Sequence, residues 1–264
     1  MDRLFVFDID GTLLPHPKGS LSKNTVSALN QLLQDGDAIC FCSGRPFRSL
    51  KKLLSELGPG KKFAGMANGA CLKDFEGKTL FTHPLDLSVL DHFVEKYKDR
   101  KDLHLYAYGL DDEILYYEDS HFVQEEIDIN EIKGIRLSGK EDKTQKILKV
   151  MVASDGENVP LELTPQESWV YSSTRSSPHF FEIMALESSK KNLVEYLWDY
   201  LGIYMADIYC FGDSQNDVGM LDYFHGIAMG NAVYDAKEAA ETVTRTCENE
   251  GVYYALKEVY EFVD

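Results

Sequence analysis

The sequence predicts an α/β protein: a Rossmann-like parallel sheet with helices on both faces, interrupted by an inserted α/β module. Short apolar runs alternate with amphipathic segments in both end regions of the chain, which is typical of strand–helix–strand units in a parallel sheet. The middle third instead contains aromatic, alternating segments, which favour an antiparallel sheet. Polar clusters follow the apolar runs of the end regions, where a doubly wound sheet binds its ligands.

The N-terminal region begins with a predicted strand at Leu4–Phe7, because a short apolar run bounded by a turn signal fits a buried strand. Apolar residues at helical spacing predict a helix over residues 22–34. Further apolar runs predict strands at Ala38–Cys42 and at residues 63–67. Pro46 suits the first position of the helix that joins these two strands. These units predict the first half of a parallel sheet.

The pattern changes near residues 82–84. A predicted helix at residues 86–98 precedes a series of strand-like segments. These segments cover residues 103–108, 113–117, 147–153, 169–174 and 180–184. We therefore predict a separate α/β module with an antiparallel sheet at residues 83–186.

Alternation of strand and helix resumes at Glu187. The predicted elements are a helix at residues 189–201, a strand at residues 207–211, a helix through Met220, Leu221 and Phe224, and a strand at residues 226–229. The core is therefore predicted to consist of residues 1–82 and 187–264.

The chain carries an excess of acidic residues. Its 264 residues have a formal net charge of -17 and a pI near 4.8. This charge argues against nucleic acid or an anionic membrane as a partner. The sequence also has no apolar stretch near the roughly 18 residues of a membrane span, and its N-terminal apolar run, broken by Asp8, is too short for a signal peptide.

The five cysteines predict a reducing environment. Their odd number, the apolar neighbours of Cys40, Cys42 and Cys210, and the lack of metal-type spacing indicate free, mostly buried thiols. The simplest location is therefore the cytoplasm.

Two carboxylates stand at the end of the first predicted strand. Asp8 and Asp10 point to the same side, because side chains alternate along an extended chain. Partly buried carboxylates at close range repel and need a counter-ion, and Mg²⁺ is the usual hard cation with oxygen ligands. The alternative is an ordinary surface turn, where Asp-Gly is common.

Four polar clusters occur at strand ends or helix starts: residues 8–12, Ser43–Arg45, Ser189–Lys190 and residues 212–217. Each alone has a local explanation as a turn or a solvated helix start. Together they fit one shared cleft at the carboxyl ends of a doubly wound sheet.

Each cluster has a use in the hydrolysis of a phosphate ester. A carboxylate can attack phosphorus to give an aspartyl-phosphate, and Asp10 is placed to protonate the leaving oxygen and later to activate water. Asp213 completes an oxygen-rich Mg²⁺ site with Asp8. Ser43 offers neutral donors to phosphate oxygens, and Lys190 adds a positive charge to a helix start.

These clusters resemble the four motifs of the haloacid dehalogenase-like phosphatases, over essentially the whole chain. The motifs stand here as residues 8–12 (Asp-Ile-Asp-Gly-Thr), Ser43, Lys190 and residues 212–217 (Gly-Asp-Ser-Gln-Asn-Asp). The segments at residues 43–46, 68–70, 229–232 and 250–251 are similar to the Cof-type branch. That branch carries a large α/β cap where the inserted module lies in this chain.

The resemblance implies a role for each motif residue. Asp8 is the nucleophile, and Asp10 is the general acid and base whose backbone carbonyl also binds Mg²⁺. Asp213 is a metal ligand, and Asp217 is a metal-site residue that supports the metal shell. The implied substrate- or phosphate-binding residues are Asp10, Thr12, Ser43, Gly44, Arg45, Lys190 and Asn216.

Several assignments stay open. Lys191 occupies a place where the Cof-type branch usually has glycine, so Lys191 is an alternative to the preferred Lys190. Arg45 either binds substrate or is an exposed arginine at a helix start. We interpret a further set as structural rather than ligand-binding. It contains Asn68, Asn231, Arg175, His179, Glu182 and most of the aromatic residues of the module, Tyr106, Tyr108, Tyr116, Tyr117 and Trp169.

The predicted function is that of a cytoplasmic, Mg²⁺-dependent phosphomonoesterase acting on a small phosphorylated metabolite. Hexose or pentose phosphates are the substrates that the resemblance favours, with pyridoxal phosphate and flavin mononucleotide as further candidates. The alternatives are a phosphomutase that reuses the aspartyl-phosphate and a non-catalytic sugar-phosphate sensor. The sequence does not fix the oligomeric state, and a monomer would satisfy it.

Overall fold

The computed structural model describes residues 3–15 and 20–263. They form two compact units. The first unit comprises Met1–Ser43, Leu50–Phe81 and Ser189–Asp264, apart from the residues outside the described ranges. The second unit comprises Gly44–Ser49 and Thr82–Ser188. The chain therefore leaves the first unit and returns to it.

Fifteen strands and eight α-helices occur in the described ranges. The strands are β1 (Leu4–Phe7), β2 (Ala38–Cys42), β3 (Lys61–Met66), β4 (Cys71–Asp74), β5 (Thr79–Thr82), β6 (Leu85–Asp86), β7 (Leu103–Gly109), β8 (Glu113–Tyr116), β9 (Lys133–Arg136), β10 (Lys146–Ser154), β11 (Tyr171–Ser177), β12 (Phe180–Ala185), β13 (Ile208–Gly212), β14 (His225–Ala228) and β15 (Thr242–Val243). The helices are α1 (Lys23–Gln34), α2 (Phe47–Leu54), α3 (Ser88–Lys96), α4 (His121–Asn130), α5 (Lys190–Leu201), α6 (Val218–Tyr223), α7 (Tyr234–Ala239) and α8 (Gly251–Tyr254).

The sheet of the first unit has the strand order β15-β14-β13-β1-β2-β3-β4-β5. The strands from β15 to β3 pair in parallel, whereas β4 pairs antiparallel with β3. The predicted parallel sheet is therefore extended at this edge by an antiparallel strand that was not predicted. Only the short turn Ala67–Gly69 joins β3 to β4, and a parallel return needs a longer crossover.

Strand β1 lies in the middle of this sheet. All four of its residues are buried, and it pairs with β2 on one side and with β13 on the other. Residues that follow β1, β2 and β13 therefore emerge at the same edge of the sheet, where parallel strands end. This arrangement brings distant parts of the sequence to one place.

The second unit has a sheet of its own, with the strand order β11-β12-β10-β7-β8-β9, and β6 pairs with β10. Helix α3 contributes Val89, Leu90 and Phe93 to the apolar cluster of this unit. Helix α4 and strand β9 were not predicted. Because β8 and β9 pair in parallel, a crossover such as α4 must connect them.

The predicted strand at residues 169–174 starts too early. Glu167–Trp169 is a 3₁₀ turn, and β11 begins at Tyr171. The predicted fold class is nevertheless confirmed, since the structure contains mixed parallel and antiparallel sheets with helices on both faces. All five cysteines are buried and free, as predicted. No helix in the described ranges is both long and apolar enough to cross a bilayer.

Candidate active site

Three aspartates meet at the carboxyl ends of β1 and β13. Asp8 follows β1 directly and is 6% exposed, and its N–H group donates a hydrogen bond of 3.0 Å to the carbonyl oxygen of Phe211. Asp213 and Asp217 follow β13 and are also buried. One carboxylate oxygen from each aspartate lies within 4.8 Å of the others. The cluster therefore has the donor atoms and spacing of a cation site.

Lys190 brings a positive charge to this cluster from the first residue of α5. The Ser189 side chain caps the helix by accepting a hydrogen bond of 3.1 Å from the Asn192 N–H group. The buried Lys190 Nζ donates to Asp8 Oδ1 at 2.5 Å and to Asp217 Oδ1 at 2.6 Å. The capped helix start thus fixes the lysine between two carboxylates.

Lys191 points elsewhere. Its Nζ lies 3.4 Å from Glu195 Oε1, one helical turn further on, and 4.1 Å from the centre of the Tyr223 ring. Its side chain is 33% exposed. Of the two lysines that the sequence left open, the structure therefore brings Lys190 to the aspartates.

Burial and the neighbouring charges shift the pKa values of Asp8 and Lys190. Burial raises the pKa of Asp8 well above its usual value, Lys190 opposes this shift, and the neighbouring carboxylates of Asp217 and Asp213 add to it. Burial would lower the pKa of Lys190, but the carboxylates of Asp217 and Asp8 raise it further than burial lowers it. One ammonium group faces three carboxylates, so a second cation is needed to keep all three ionised.

Asp217 fixes the turn that follows β13. Its Oδ2 accepts hydrogen bonds from the N–H groups of Asp213, at 3.0 Å, and Ser214, at 2.9 Å. Its Oδ1 accepts from Lys190, so both oxygens already have donors. The side chain of Ser214 completes a capping box with Asp217. Asp217 therefore holds Lys190 and the backbone of Asp213 in place.

The carboxylate of Asp213 rests against the loop after β1. Thr12 Oγ1 donates to Asp213 Oδ1 at 3.3 Å. A Cβ atom at Gly11 would lie 2.3 Å from Asp213 Oδ2, and Gly11 has a φ of +89°. Only glycine allows both this backbone conformation and this close approach. Gly11 and Thr12 therefore define where the Asp213 carboxylate lies.

The predicted phosphate-binding residues Ser43 and Asn216 are connected through Asn68. Ser43 follows β2 and is buried, and its backbone carbonyl oxygen accepts a hydrogen bond of 3.0 Å from the Asn68 N–H group. Asn216 Nδ2 donates to Asn68 Oδ1 at 3.0 Å. Asn68 has a φ of 56°, a left-handed conformation that asparagine tolerates better than most residues. Asn68 therefore has a structural role, because it connects two residues that are predicted to bind phosphate.

The remaining predicted site residues are partly exposed. Asp10 lies two residues beyond Asp8, in a short backbone bridge with Leu14. Gly44 and Arg45 directly follow Ser43, at the start of the segment that belongs to the second unit.

The second unit gives structural partners to residues that the sequence analysis interpreted as structural. Glu182 pairs with Lys149 at 2.7 Å, with both side chains buried. Arg175 donates to the carbonyl oxygen of Val159, and His179 Nδ1 lies 3.0 Å from the carbonyl oxygen of Ser154.

Asn231, which the sequence analysis interpreted as structural, lies near the aspartates. Asn231, in the loop after β14, contacts both the loop after β1 and Asp213. Its position just beyond a predicted strand end, in the segment 229–232, was the signal that pointed to the cleft.

The family of the chain follows from comparison with known proteins. A family model of haloacid dehalogenase-like hydrolases matches residues 5–256. The chain therefore belongs to the haloacid dehalogenase-like hydrolases, and its predicted resemblance to the Cof-type branch is confirmed. Membership of this family also confirms the prediction of an enzyme of the phosphatase class.

Its relatives include phosphatases with different substrates. The 5-amino-6-(5-phospho-D-ribitylamino)uracil phosphatase YitU of Bacillus subtilis is 29% identical over 97% of this chain and 97% of its own length. The HMP-PP phosphatase of Yersinia pseudotuberculosis is 29% identical over 97% of this chain and 94% of its own length. The solved structure of a haloacid dehalogenase-like hydrolase from Bacteroides thetaiotaomicron matches with a TM-score of 0.85 and 24% identity, covering 98% of this chain and 100% of that one.

Proposed function

We propose that this protein is a Mg²⁺-dependent phosphomonoesterase that hydrolyses small phosphorylated metabolites, with Asp8 as the nucleophile. The observation that carries the proposal is the buried cluster of Asp8, Asp213 and Asp217 with a single lysine between two of them. A carboxylate nucleophile at a strand end, a fixed ammonium group and an incomplete charge balance are what phosphoryl transfer requires.

The donor set fits a hard divalent cation. The candidate ligands are oxygens only: the Asp8 and Asp213 side chains, with the Asp10 carbonyl oxygen as the resemblance implies. Asp217 is the fourth predicted metal residue, and its hydrogen bonds to Lys190 and to two backbone N–H groups favour a supporting role. When bound, Mg²⁺ would neutralise charge on the phosphoryl group and on the nucleophile.

The chain's own residues then account for two steps. Asp8 Oδ attacks phosphorus in line, the bond from phosphorus to the ester oxygen breaks, and Asp10 gives its proton to the departing alcohol. Water next attacks the aspartyl-phosphate and yields its proton to Asp10, which frees phosphate and restores Asp8. Lys190 offsets negative charge beside the nucleophile throughout, while Ser43 and Asn216 hold the phosphoryl oxygens through neutral donors. The hydroxyl of Thr12 instead donates to Asp213.

Sugar phosphates, of hexoses or pentoses, are the substrate class we propose. YitU, whose name describes the phosphate ester of a ribityl chain, supports a polyhydroxylated leaving group. The name of the second relative, HMP-PP phosphatase, denotes a different phosphorylated substrate, so cofactor phosphates belong in the test. The five free cysteines support a reducing compartment, and we propose the cytoplasm.

The test is a phosphate-release screen across sugar phosphates, nucleotides, pyridoxal phosphate and flavin mononucleotide, with and without Mg²⁺. Asp8→Asn is expected to keep the fold and to lower turnover at least about 10⁴-fold, because the amide cannot attack phosphorus. Asp74→Asn is the matched control. Asp74 is an aspartate of the first unit that accepts hydrogen bonds from Gly77 and Lys78, outside the cluster.

Three outcomes would contradict the proposal. Asp8→Asn with turnover close to that of Asp74→Asn would remove Asp8 as the nucleophile. Isomerisation of a sugar phosphate without net phosphate release would indicate a phosphomutase. Tight binding of a sugar phosphate without any release in excess Mg²⁺ would indicate a sensor.

A further inference from the structure

Asn231 contacts both the loop after β1 and the residue Asp213 that follows β13. It lies in the loop after β14, and its Nδ2 donates a hydrogen bond of 2.8 Å to the carbonyl oxygen of Gly11. The same nitrogen lies 3.4 Å from Asp213 Oδ2. An amide nitrogen carries two N–H donors, so one group can serve both oxygens.

The other end of the Asn231 amide is also bound. Its Oδ1 accepts a hydrogen bond of 2.8 Å from the Cys247 N–H group, at the start of the turn Cys247–Asn249. This turn lies close to the acidic cluster. Burial first, and then the charges of Glu248, Asp213, Asp8 and Asp10, raise the pKa of the Cys247 thiol to about 12. Both ends of the Asn231 side chain are therefore held, which fixes its orientation.

Thr12 and Asn231 together hold the two oxygens of one carboxylate. Thr12 Oγ1 donates to Asp213 Oδ1, and Asn231 Nδ2 faces Asp213 Oδ2. Gly11 supplies the surface on which this carboxylate rests, and Asn231 binds the carbonyl oxygen of that same glycine. Hydrogen bonds of this kind orient a metal ligand and set its affinity for the ion.

We propose that Asn231 is a positioning residue that orients the Asp213 carboxylate and the Gly11 peptide for a divalent cation. This inference rests on the proposed function, because it concerns the affinity of the proposed Mg²⁺ site. Asn231 is itself exposed, so packing does not explain its three contacts. The same exposure means that truncation leaves the apolar core intact.

The experiment compares wild type, Asn231→Ala and the control Asn249→Ala. Asn249 is an exposed asparagine of the same turn, and its side chain donates to Thr246 at 2.8 Å. Mg²⁺ is titrated calorimetrically into each protein without substrate, and the melting temperature of each is measured. Phosphate release is then followed against Mg²⁺ and against substrate.

Asn231→Ala is expected to weaken Mg²⁺ binding about 10-fold, the lower end of the range for residues that orient a metal ligand. Substrate KM at saturating Mg²⁺ should change less than twofold, because Asn231 acts through Asp213. Asn249→Ala should match wild type in Mg²⁺ affinity within twofold. Should Asn231→Ala fail to fold, Asn231→Ser takes its place, and the same weakening of Mg²⁺ binding is expected.

The inference is wrong if a folded Asn231 variant binds Mg²⁺ as wild type does, or if Asn249→Ala weakens binding equally. It is also wrong if KM rises while Mg²⁺ affinity stays constant, since Asn231 would then contact substrate. A wild type that releases phosphate with Mg²⁺ leaves the proposed function intact in all of these cases. A wild type that neither binds Mg²⁺ nor releases phosphate overturns both.

Discussion

Each unit contains a buried lysine that pairs with carboxylates, but the number of carboxylates in contact with the lysine differs between the two units. Lys190 in the first unit lies between Asp8 and Asp217, with Asp213 in the same cluster. Lys149 in the second unit pairs with Glu182 at 2.7 Å, donates to the carbonyl oxygen of Gly44 at 3.0 Å, and lies 4.4 Å from the centre of the Tyr108 ring. The first lysine contacts two of three clustered carboxylates. The second contacts one carboxylate, and the carboxylate of Glu126, which accepts a hydrogen bond from Asn130, acts on it without direct contact.

The difference separates a reactive site from a structural pair. A buried pair of opposite charges carries no net charge, although the attraction between its members need not repay their desolvation. Three buried carboxylates share one ammonium group in the first unit. Burial, and then the charges of Asp217 and Asp213, raise the pKa of Asp8 against the opposing effect of Lys190. The excess of negative charge, rather than burial itself, marks the position where a cation is to be expected. The two lysines therefore provide matched variants.

Lys190→Met should give the largest effect. It leaves Asp8 and Asp217 buried without their common partner, so the free energy of unfolding should fall by about 3–5 kcal/mol without metal. Turnover should fall at least about 10³-fold, because a fixed positive charge at the phosphoryl group is lost. Phosphate release and denaturant unfolding, each with and without Mg²⁺, measure both quantities.

Added Mg²⁺ should restore part of the lost stability in Lys190→Met, since a dication can supply charge to the same carboxylates. The control is Lys149→Met, an identical change at a buried lysine, where Mg²⁺ should restore nothing. Equal recovery in both variants, or none in Lys190→Met, would remove the distinction between the two sites.

The residues that the structure brings together in the first cluster could be found in the sequence because they mark strand ends and a helix start. Asp8 follows an apolar run, Asp213 follows another, and Ser189 is a helix-capping residue before Lys190. These are local signals, and the parallel sheet converts them into one location. The register of the family motif, rather than a local signal, favoured Lys190 over Lys191, and the structure brings the Lys190 side chain to the aspartates.

Contacts between distant segments could not be predicted in this way. Asn231 and Gly11 are 220 positions apart, and no local pattern couples them. The antiparallel strand β4 depends on positive φ angles in the turn Ala67–Gly69, where Gly69 packs against the backbone of Ser189. Helix α4 was missed as well, and Ser120, which caps it, lies in a polar stretch without a strong apolar repeat.

The Lys149–Glu182 pair supplies the second prediction. Lys149→Met should lower the free energy of unfolding by about 3–5 kcal/mol, because Glu182 would remain buried without its ammonium partner. The double variant Lys149→Met/Glu182→Leu should recover most of this loss, since apolar residues of similar volume often replace a buried pair at little cost. Denaturant unfolding of the single and double variants measures the coupling between the two residues. A double variant as unstable as Lys149→Met would mean that the pair contributes more than charge balance.

Lys191→Ala should give the smallest effect and directly tests the choice between adjacent lysines. Lys191 is partly exposed, and its contacts with Glu195 and the Tyr223 ring are of the surface kind, worth about 0.5–1 kcal/mol in total. Turnover should stay within twofold of wild type, because the Lys191 ammonium group points away from the aspartates that Lys190 binds. Steady-state phosphate release beside Lys190→Met measures the contrast. A loss above tenfold in Lys191→Ala would show that both lysines serve the phosphoryl group, and the charge balance assigned to the cluster would then be incomplete by one cation.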